Sequence, residues 1–413
     1  MAPRIVVTGM GMVSPLGLSV SETWSNLLKG VSGVGPITQF DASDFLVQIA
    51  CEIQDFDPEA YMSAREARRR DRFEQLATAA AVQAMAQSGF EITEANAGRV
   101  GIIVSSAVGG LITMEQGIEA LNQDGARRIS PFLIPMFMPN GASGLIGIDI
   151  GAKGPAWSIA SACSSGADSI GQGWLLLRQG VVDVCLAGGT ESTICPIGVG
   201  SFDRVGALSR QNDDYSMTPA PFDKNRDGLV MGEGAAVLIL EREDHARARG
   251  AEIFGEIAGY GSTADAFHVT APHEDGAGGA AAMRMAMQTA GLNPDEIDYI
   301  NAHGTGTQLN DIAETRAVKS ALGKHAHSTP ISSTKSMTGH LMGATGALEA
   351  IFCMLAIRDG VLPPTIHYQT PDPECDLDVI PNQAREMPIK TALSNAFGFG
   401  GHNAVLALKA YSR

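Results

Sequence analysis

The chain has 413 residues, of which 45% are hydrophobic and 18% charged, with 48 glycines and a formal net charge of −16. That composition excludes a disordered chain, and so acidic a balance excludes general nucleic-acid binding, which needs a basic face. No run reaches the roughly 18 apolar residues of a membrane helix.

The length predicts two or three domains, or one body made of large fused halves. After Arg4 the apolar run is short and broken by Thr8 and glycines, which predicts neither a signal peptide nor a span. Buried strands are expected at residues 5–8, 100–105, 157–160, 182–187 and 236–241, with helices at 72–88 and 165–178 between them. The alternation restarts after about residue 250. Strands at 253–258, 297–302 and 331–333 precede helices at 280–290, 312–322 and 345–358, and strands at 391–395 and 404–409 close the chain. Such β/α alternation implies parallel strands with crossover helices. No low-complexity linker separates the two stretches, so residues 1–250 and 251–413 are expected to pack as two α/β halves of one body.

Four small-residue loops follow predicted strands and carry the reactive side chains. Cys163 sits in Ser161-Ala-Cys-Ser-Ser-Gly166, at a strand-to-helix turn where a helix N-terminus favours a thiolate. His303 sits in Asn301-Ala-His-Gly-Thr-Gly-Thr307, where the glycines admit a ligand and Thr305 and Thr307 offer hydroxyls. His340 lies in a glycine-rich stretch five residues after Lys335. Residues 394–403, Ser-Asn-Ala-Phe-Gly-Phe-Gly-Gly-His-Asn, place Phe397 and Phe399 among glycines, as core plugs or with one as a mobile gate. Strand C-termini form the ligand crevice of α/β folds, so the four loops are expected to converge. The six cysteines form no CxxC pair and no zinc-ligand spacing, which points to a reduced, cytoplasmic protein without a catalytic metal. The other five read as core. Two basic spots stand out in the acidic chain, one at Arg65, Arg68, Arg69, Arg70 and Arg72 and one at Arg127 and Arg128.

Together these motifs resemble the β-ketoacyl-[acyl-carrier-protein] synthases of the thiolase superfamily, most closely the synthase II type. The resemblance covers nearly the whole chain, from RIVVTGMGMVSPLG (4–17) through PFDKNRDGLVMGEGA (221–235) to FGFGGHN (397–403). It implies a thiolase-like fold, with duplicated βαβαβαββ halves in a five-layered α-β-α-β-α arrangement, assembled as a homodimer. It implies that Cys163 accepts the acyl chain and that His303 and His340 serve decarboxylation and condensation, supported by Lys335. Phe399 looks like the gate and, with Cys163, the source of oxyanion-hole N–H groups. Thr305, Thr307 and Thr270 look like substrate contacts, and Val108 and Phe202 match acyl-tunnel positions. Arg65, Arg68, Arg69, Arg127 and Arg128 would dock an acidic acyl carrier protein in its acyl and malonyl forms. Asn301, Ala302, Glu349, Ser394 and Asn395 match positions that hold a structural sodium or potassium ion in some members, and Glu349 is independently notable as a lone acid in an apolar helix. No cofactor is needed for the chemistry. The chain departs from the common pattern at His402, where threonine is usual, and at Gly206, where an arginine is expected.

The reaction so implied is a decarboxylating Claisen condensation of an acyl chain on Cys163 with malonyl carrier protein. A degradative thiolase would want a second catalytic cysteine late in the chain, yet Cys375 lies in an acidic, proline-rich loop. A non-catalytic chain-length partner would lack Cys163, and a Cys/His hydrolase would not need paired histidine loops.

Overall fold

Strand periodicity sorts the apolar residues into three layers of core. The computed structural model describes residues 3–412. In the first half, β1 (Ile5–Val13), β2 (Val100–Ser105), β3 (Ala156–Trp157), β4 (Val184–Glu191) and β5 (Gly234–Arg242) lie in the order β1-β5-β4-β2-β3. In the second, β6 (Gly255–Ala264), β7 (Tyr299–Asn301), β8 (Ile331–Ser332), β9 (Thr391–Gly398) and β10 (His402–Lys409) lie in the order β6-β10-β9-β7-β8. Both halves have the same ladder, with three parallel strands at the far edge and two antiparallel joints toward the centre. The halves join where β1 pairs antiparallel with β6, Ile5 opposite Ile257 and Val7 opposite Gly255.

Alternate residues of each strand serve different layers, as a period of two requires. Ile102, Val104, Val237 and Ile239 face an outer core with α1 (Arg72–Ser88) and α2 (Gly141–Ile150). Leu393, Val405 and Ala407 face the opposite outer core, with α4 (Ala277–Ala290) and α5 (Gln308–Leu322). Ile103, Ala236, Leu238, Ala404 and Leu406 turn inward onto α3 (Ser165–Arg178) and α6 (Thr345–Asp359), which lie between the two halves of the sheet. These are the five expected layers, with the strand and helix order βαβαβαββ in each half. Helix α6 is buried from Thr345 to Ala356 because it touches sheet on both sides, which explains its lack of a polar face.

Local signals set the helix ends. Asp71 caps α1 and forms a reciprocal capping box with Glu74, and Gly89 ends it at a φ of 56°. Helices α3 and α6 instead emerge from one-turn 3₁₀ segments, Ala162–Ser164 and Met342–Ala344. Each segment opens on a non-glycine residue with positive φ, 53° at Ala162 and 41° at Met342. The two turns thus occupy equivalent places in the two halves, and the helices cross beside them. A Cβ on Gly166 would lie 2.7 Å from the Gly343 carbonyl oxygen, and one on Gly346 would lie 2.9 Å from Ala167 N. Only glycine allows this approach.

Gly346→Val is therefore expected to destabilise the protein by about 1–3 kcal/mol, the usual cost of overpacking. Thermal or denaturant unfolding checks this, and the same substitution at exposed Gly144, where a Cβ meets open space, is the control.

Candidate active site

The loops after β7, β8 and β9 and the turn before α3 meet at one cavity of about 270 Å³. Cys163, His303, His340, Phe399, Thr305, Thr307, Thr270 and Phe202 all line it. The sequence thus located eight wall residues from both halves of the chain. Val108 is the exception among the expected substrate contacts. It sits in the turn braced by Ser106 Oγ and does not line this cavity.

Cys163 is only 8% exposed. Burial pushes its thiol up to about 11, while the N–H groups of Phe399 and of Cys163 itself, with the Lys335 charge, pull it back down. Desolvation thus opposes the thiolate that the helix N-terminus favours. The Phe399 loop is held close by a glycine. A Cβ at Gly398 would fall 2.8 Å from Ser161 O and 3.0 Å from Cys163 N. The rings of Phe399 and Phe202 lie 6.3 Å apart, at the apolar side of the cavity. The remaining five cysteines are buried and unpaired, as core residues.

The imidazoles of His303 and His340 stand edge to face with centroids 5.3 Å apart. Burial, followed by the nearby Lys335 charge, holds both well below the ordinary histidine range, so both are neutral at physiological pH. His340 Nδ1 lies 3.0 Å from Thr345 Oγ1, while its Nε2 and His303 Nδ1 are buried without protein partners. Lys335 Nζ donates to Glu349 Oε1 at 2.6 Å and to the Ala302 carbonyl at 3.4 Å. Its ammonium therefore sits one residue from His303, fully buried but paired.

Several acids that brace this site escaped the sequence reading. Glu314, on α5, accepts from the N–H groups of His303 at 2.8 Å and Gly304 at 2.6 Å. Asp311 accepts from Phe222 N–H at 2.8 Å and Gly306 N–H at 3.3 Å, tying the 221–228 strap to the histidine loop. Asp168, on α3, accepts from Ser161 Oγ and from the Tyr260 hydroxyl, which fixes the approach to Cys163. Asp311 and Glu314 share the buried face of α5, a helix that also carries Gln308, Asn310, Arg316 and Lys319, so neither stands out as a lone acid.

The expected cation ligands form a second polar cluster beside Lys335. Asn301 and Ser394 are opposite each other on β7 and β9. The Asn301 amide, Ser394 Oγ, Asn395 Oδ1 and Glu349 Oε2 are all buried without partners. An all-oxygen donor set of this kind suits a hard cation. Among the described residues no group of three His, Cys, Asp or Glu side chains has metal-binding geometry.

The basic spots divide. Arg65, Arg68, Arg69, Arg127 and Arg128 are exposed, and Arg69 stacks on Phe132 at 4.5 Å, which brings the two spots together. Arg70 and Arg72 do not belong with them. Arg70 pairs with Asp149 at 2.7 Å and Arg72 with buried Glu233 at 2.7 Å. Arg204 is near the position where an arginine was expected, while Gly206 ends its helix at a φ of 77°.

The comparisons agree with this geometry. Residues 2–246 match the beta-ketoacyl synthase N-terminal domain and residues 254–369 the corresponding C-terminal domain. A 3-oxoacyl-[acyl-carrier-protein] synthase 2 of Staphylococcus aureus is 47% identical, over 99% of this chain and 98% of that one. The ishigamide ketosynthase/chain length factor superposes with a TM-score of 0.93 at 37% identity, covering all of both chains. A type II PKS ketosynthase, bound to the hexaketide and in complex with its acyl-carrier protein, superposes with a TM-score of 0.90 at 35% identity, again over all of both chains. With family models spanning both halves and a relative of this similarity along its whole length, the chain belongs to the β-ketoacyl synthases.

Proposed function

We propose that the chain extends acyl chains on acyl carrier protein by two carbons, as a 3-oxoacyl-[acyl-carrier-protein] synthase of fatty acid biosynthesis. The observation that carries the mechanism is the pair of neutral, buried imidazoles on the same cavity wall as Cys163. Among the described residues neither imidazole is held by a carboxylate, as the base of a hydrolytic dyad would be.

In the first step the Cys163 thiol exchanges with an acyl thioester, giving acyl-Cys163 and free carrier thiol. The Cys163 and Phe399 N–H groups stabilise the oxyanion, a contribution of about 2.7–4 kcal/mol per donor in comparable sites. Malonyl carrier protein then enters past Thr270, Thr305 and Thr307. Its carboxylate leaves as carbon dioxide, and the electron pair passes to the thioester enolate. His303 and His340 donate to that oxygen as neutral N–H groups, which suits a site that must not bind the resting carboxylate as tightly as the transition state. The enolate carbon attacks acyl-Cys163, the C–S bond breaks, and the thiolate regains a proton. Burial, reinforced by the Lys335 charge, keeps the histidines neutral, and Lys335 holds the His303 loop through the Ala302 carbonyl.

A structural sodium or potassium ion held by Asn301, Ala302, Ser394, Asn395 and Glu349 is part of this reading. The unpartnered oxygens support it, and the ion would stiffen the floor under His303. The enzyme is further proposed to work as a cytoplasmic homodimer. The exposed edge strand β3 and the exposed Ile134 and Ile148, 58% and 77% accessible, support pairing with a second copy. No helix among the described residues is long and apolar enough to cross a membrane. Arg65, Arg68, Arg69, Arg127 and Arg128 are the proposed carrier-protein dock.

Cys163→Ala should abolish condensation, by a factor of about 1,000 or more, in an assay of elongated carrier products. Cys163→Gln should still decarboxylate malonyl carrier protein. Because both histidines titrate below the ordinary value of about 6.5, that activity should stay level as pH falls through this range. A loss of decarboxylation centred there would show that the imidazoles charge like exposed ones.

Reversing Arg68 and Arg69 to Glu should raise KM for carrier-bound substrates about tenfold or more at low salt, with kcat little changed. The difference should shrink as salt screens the dock. Equal affinity of the variant and parent enzymes for carrier protein would place the dock elsewhere.

A further inference from the structure

The two 3₁₀ turns that start α3 and α6 are equivalent in the duplicated fold, but their N–H groups have different fates. At the first turn the Cys163 N–H faces the thiol and the substrate cavity. At the second, the equivalent residue is Gly343, whose N–H donates to Glu191 Oε2 at 3.0 Å. The same oxygen accepts from Ala107 N–H at 2.8 Å, and Oε1 accepts from Ser106 Oγ at 2.6 Å. Glu191 ends β4, is fully buried and makes no salt bridge among the described residues; burial pushes its carboxyl up to about 7 while the surrounding donors pull it back. A carboxylate is thus held by backbone and hydroxyl donors alone, in a nest built like an oxyanion hole. The fit is close: a Cβ on Gly343 would lie 2.5 Å from Ala107 N and 2.8 Å from Glu191 Oε2.

We propose that Glu191 is a positioning residue for condensation. Its carboxylate permanently fills, at the second turn, the kind of donor nest that the first turn reserves for substrate. In doing so it locks the His340–Gly343 turn to the Ser106–Gly109 turn. The consequence reaches the chemistry through two short links. Gly343 is three residues from His340 and directly follows Met342, which lines the cavity. Ser106 Oγ in turn accepts from the N–H groups of Gly109 at 2.7 Å and Val108 at 3.3 Å. One carboxylate therefore sets both the histidine that holds the enolate and the turn carrying Val108. Glu191 touches neither substrate nor reacting atoms, so its removal should act on kcat for condensation and leave KM for malonyl carrier protein nearly unchanged.

The test uses the full-length enzyme with two substitutions. Glu191→Gln keeps the shape but turns an NH₂ group toward donors, and should lower kcat about tenfold or more at nearly unchanged KM. Glu191→Ala empties the nest, and added formate should return kcat at least severalfold in a saturable way, while chloride at equal ionic strength should not. Thermal melting of each variant shows that it is folded. A folded Glu191→Gln enzyme with parental kcat overturns the proposal, as does a folded Glu191→Ala enzyme whose lost kcat formate does not restore. If Glu191→Ala does not fold, the Glu191→Gln kcat decides alone.

Discussion

The close crossing of α3 and α6 is the constraint on which the site depends. Gly166 meets the Gly343 turn and Gly346 meets Ala167, so the two helices touch at the ends where their catalytic turns begin. Cys163 is attached to one end and His340 precedes the other by a few residues. Backbone contact, not side-chain reach, therefore sets their separation. Sites that act by proximity lose rate steeply when reacting groups move by about 1 Å. A crossing fixed by glycines, inside a layer that touches sheet on both sides, provides the required stiffness.

Burial then determines the electrostatics. The same dry interior that raises the Cys163 thiol to about 11 keeps both imidazoles neutral. The single ammonium in the group, Lys335, is tolerated because Glu349 pairs with it, and breaking such a buried pair by removing one partner typically costs about 3–5 kcal/mol. The resting site thus presents neutral donors, and decarboxylation moves the malonyl group's negative charge from its carboxylate onto the thioester oxygen that they face. The other buried carboxylates, at Asp168, Glu191, Asp311 and Glu314, bind mainly backbone N–H and hydroxyl groups. They hold loops in place and leave the cavity to the histidines.

Much of this was legible in the sequence, for local reasons. Helices 72–88 and 165–178 and strand 100–105 match the structure residue for residue. A capping box marks the first, and a sharp small-residue turn marks the second. Strand 157–160 was misplaced, since β3 is an edge strand of two residues whose pairing comes from β2 alone. Strand 182–187 in fact runs as Val184–Glu191, through two glycines and a threonine. Neighbours on both sides supply that ladder, against the low strand preference of glycine. The reactive side chains were legible because each needs small neighbours. The braces were not, because an acid on a helix usually reads as a solvated face. Arg70 and Arg72, counted in the basic stretch but not among the docking arginines, turn inward to Asp149 and Glu233, which nothing local in the sequence indicates.

Duplication also explains why the site is single. The fold makes two equivalent turns, each opening on a strained residue and each feeding a central helix. One carries cysteine and the other glycine. The first half supplies the nucleophile and Phe202, the second supplies both histidines, Lys335 and the Phe399 loop, and the cavity wall alternates between them. Neither half contains a complete set of groups for condensation, and the residues that hold the loops, such as the 221–228 strap on Asp311, cross from one half to the other. Activity therefore depends on the joint between the halves, and substitutions that loosen that joint should impair chemistry before they unfold either half.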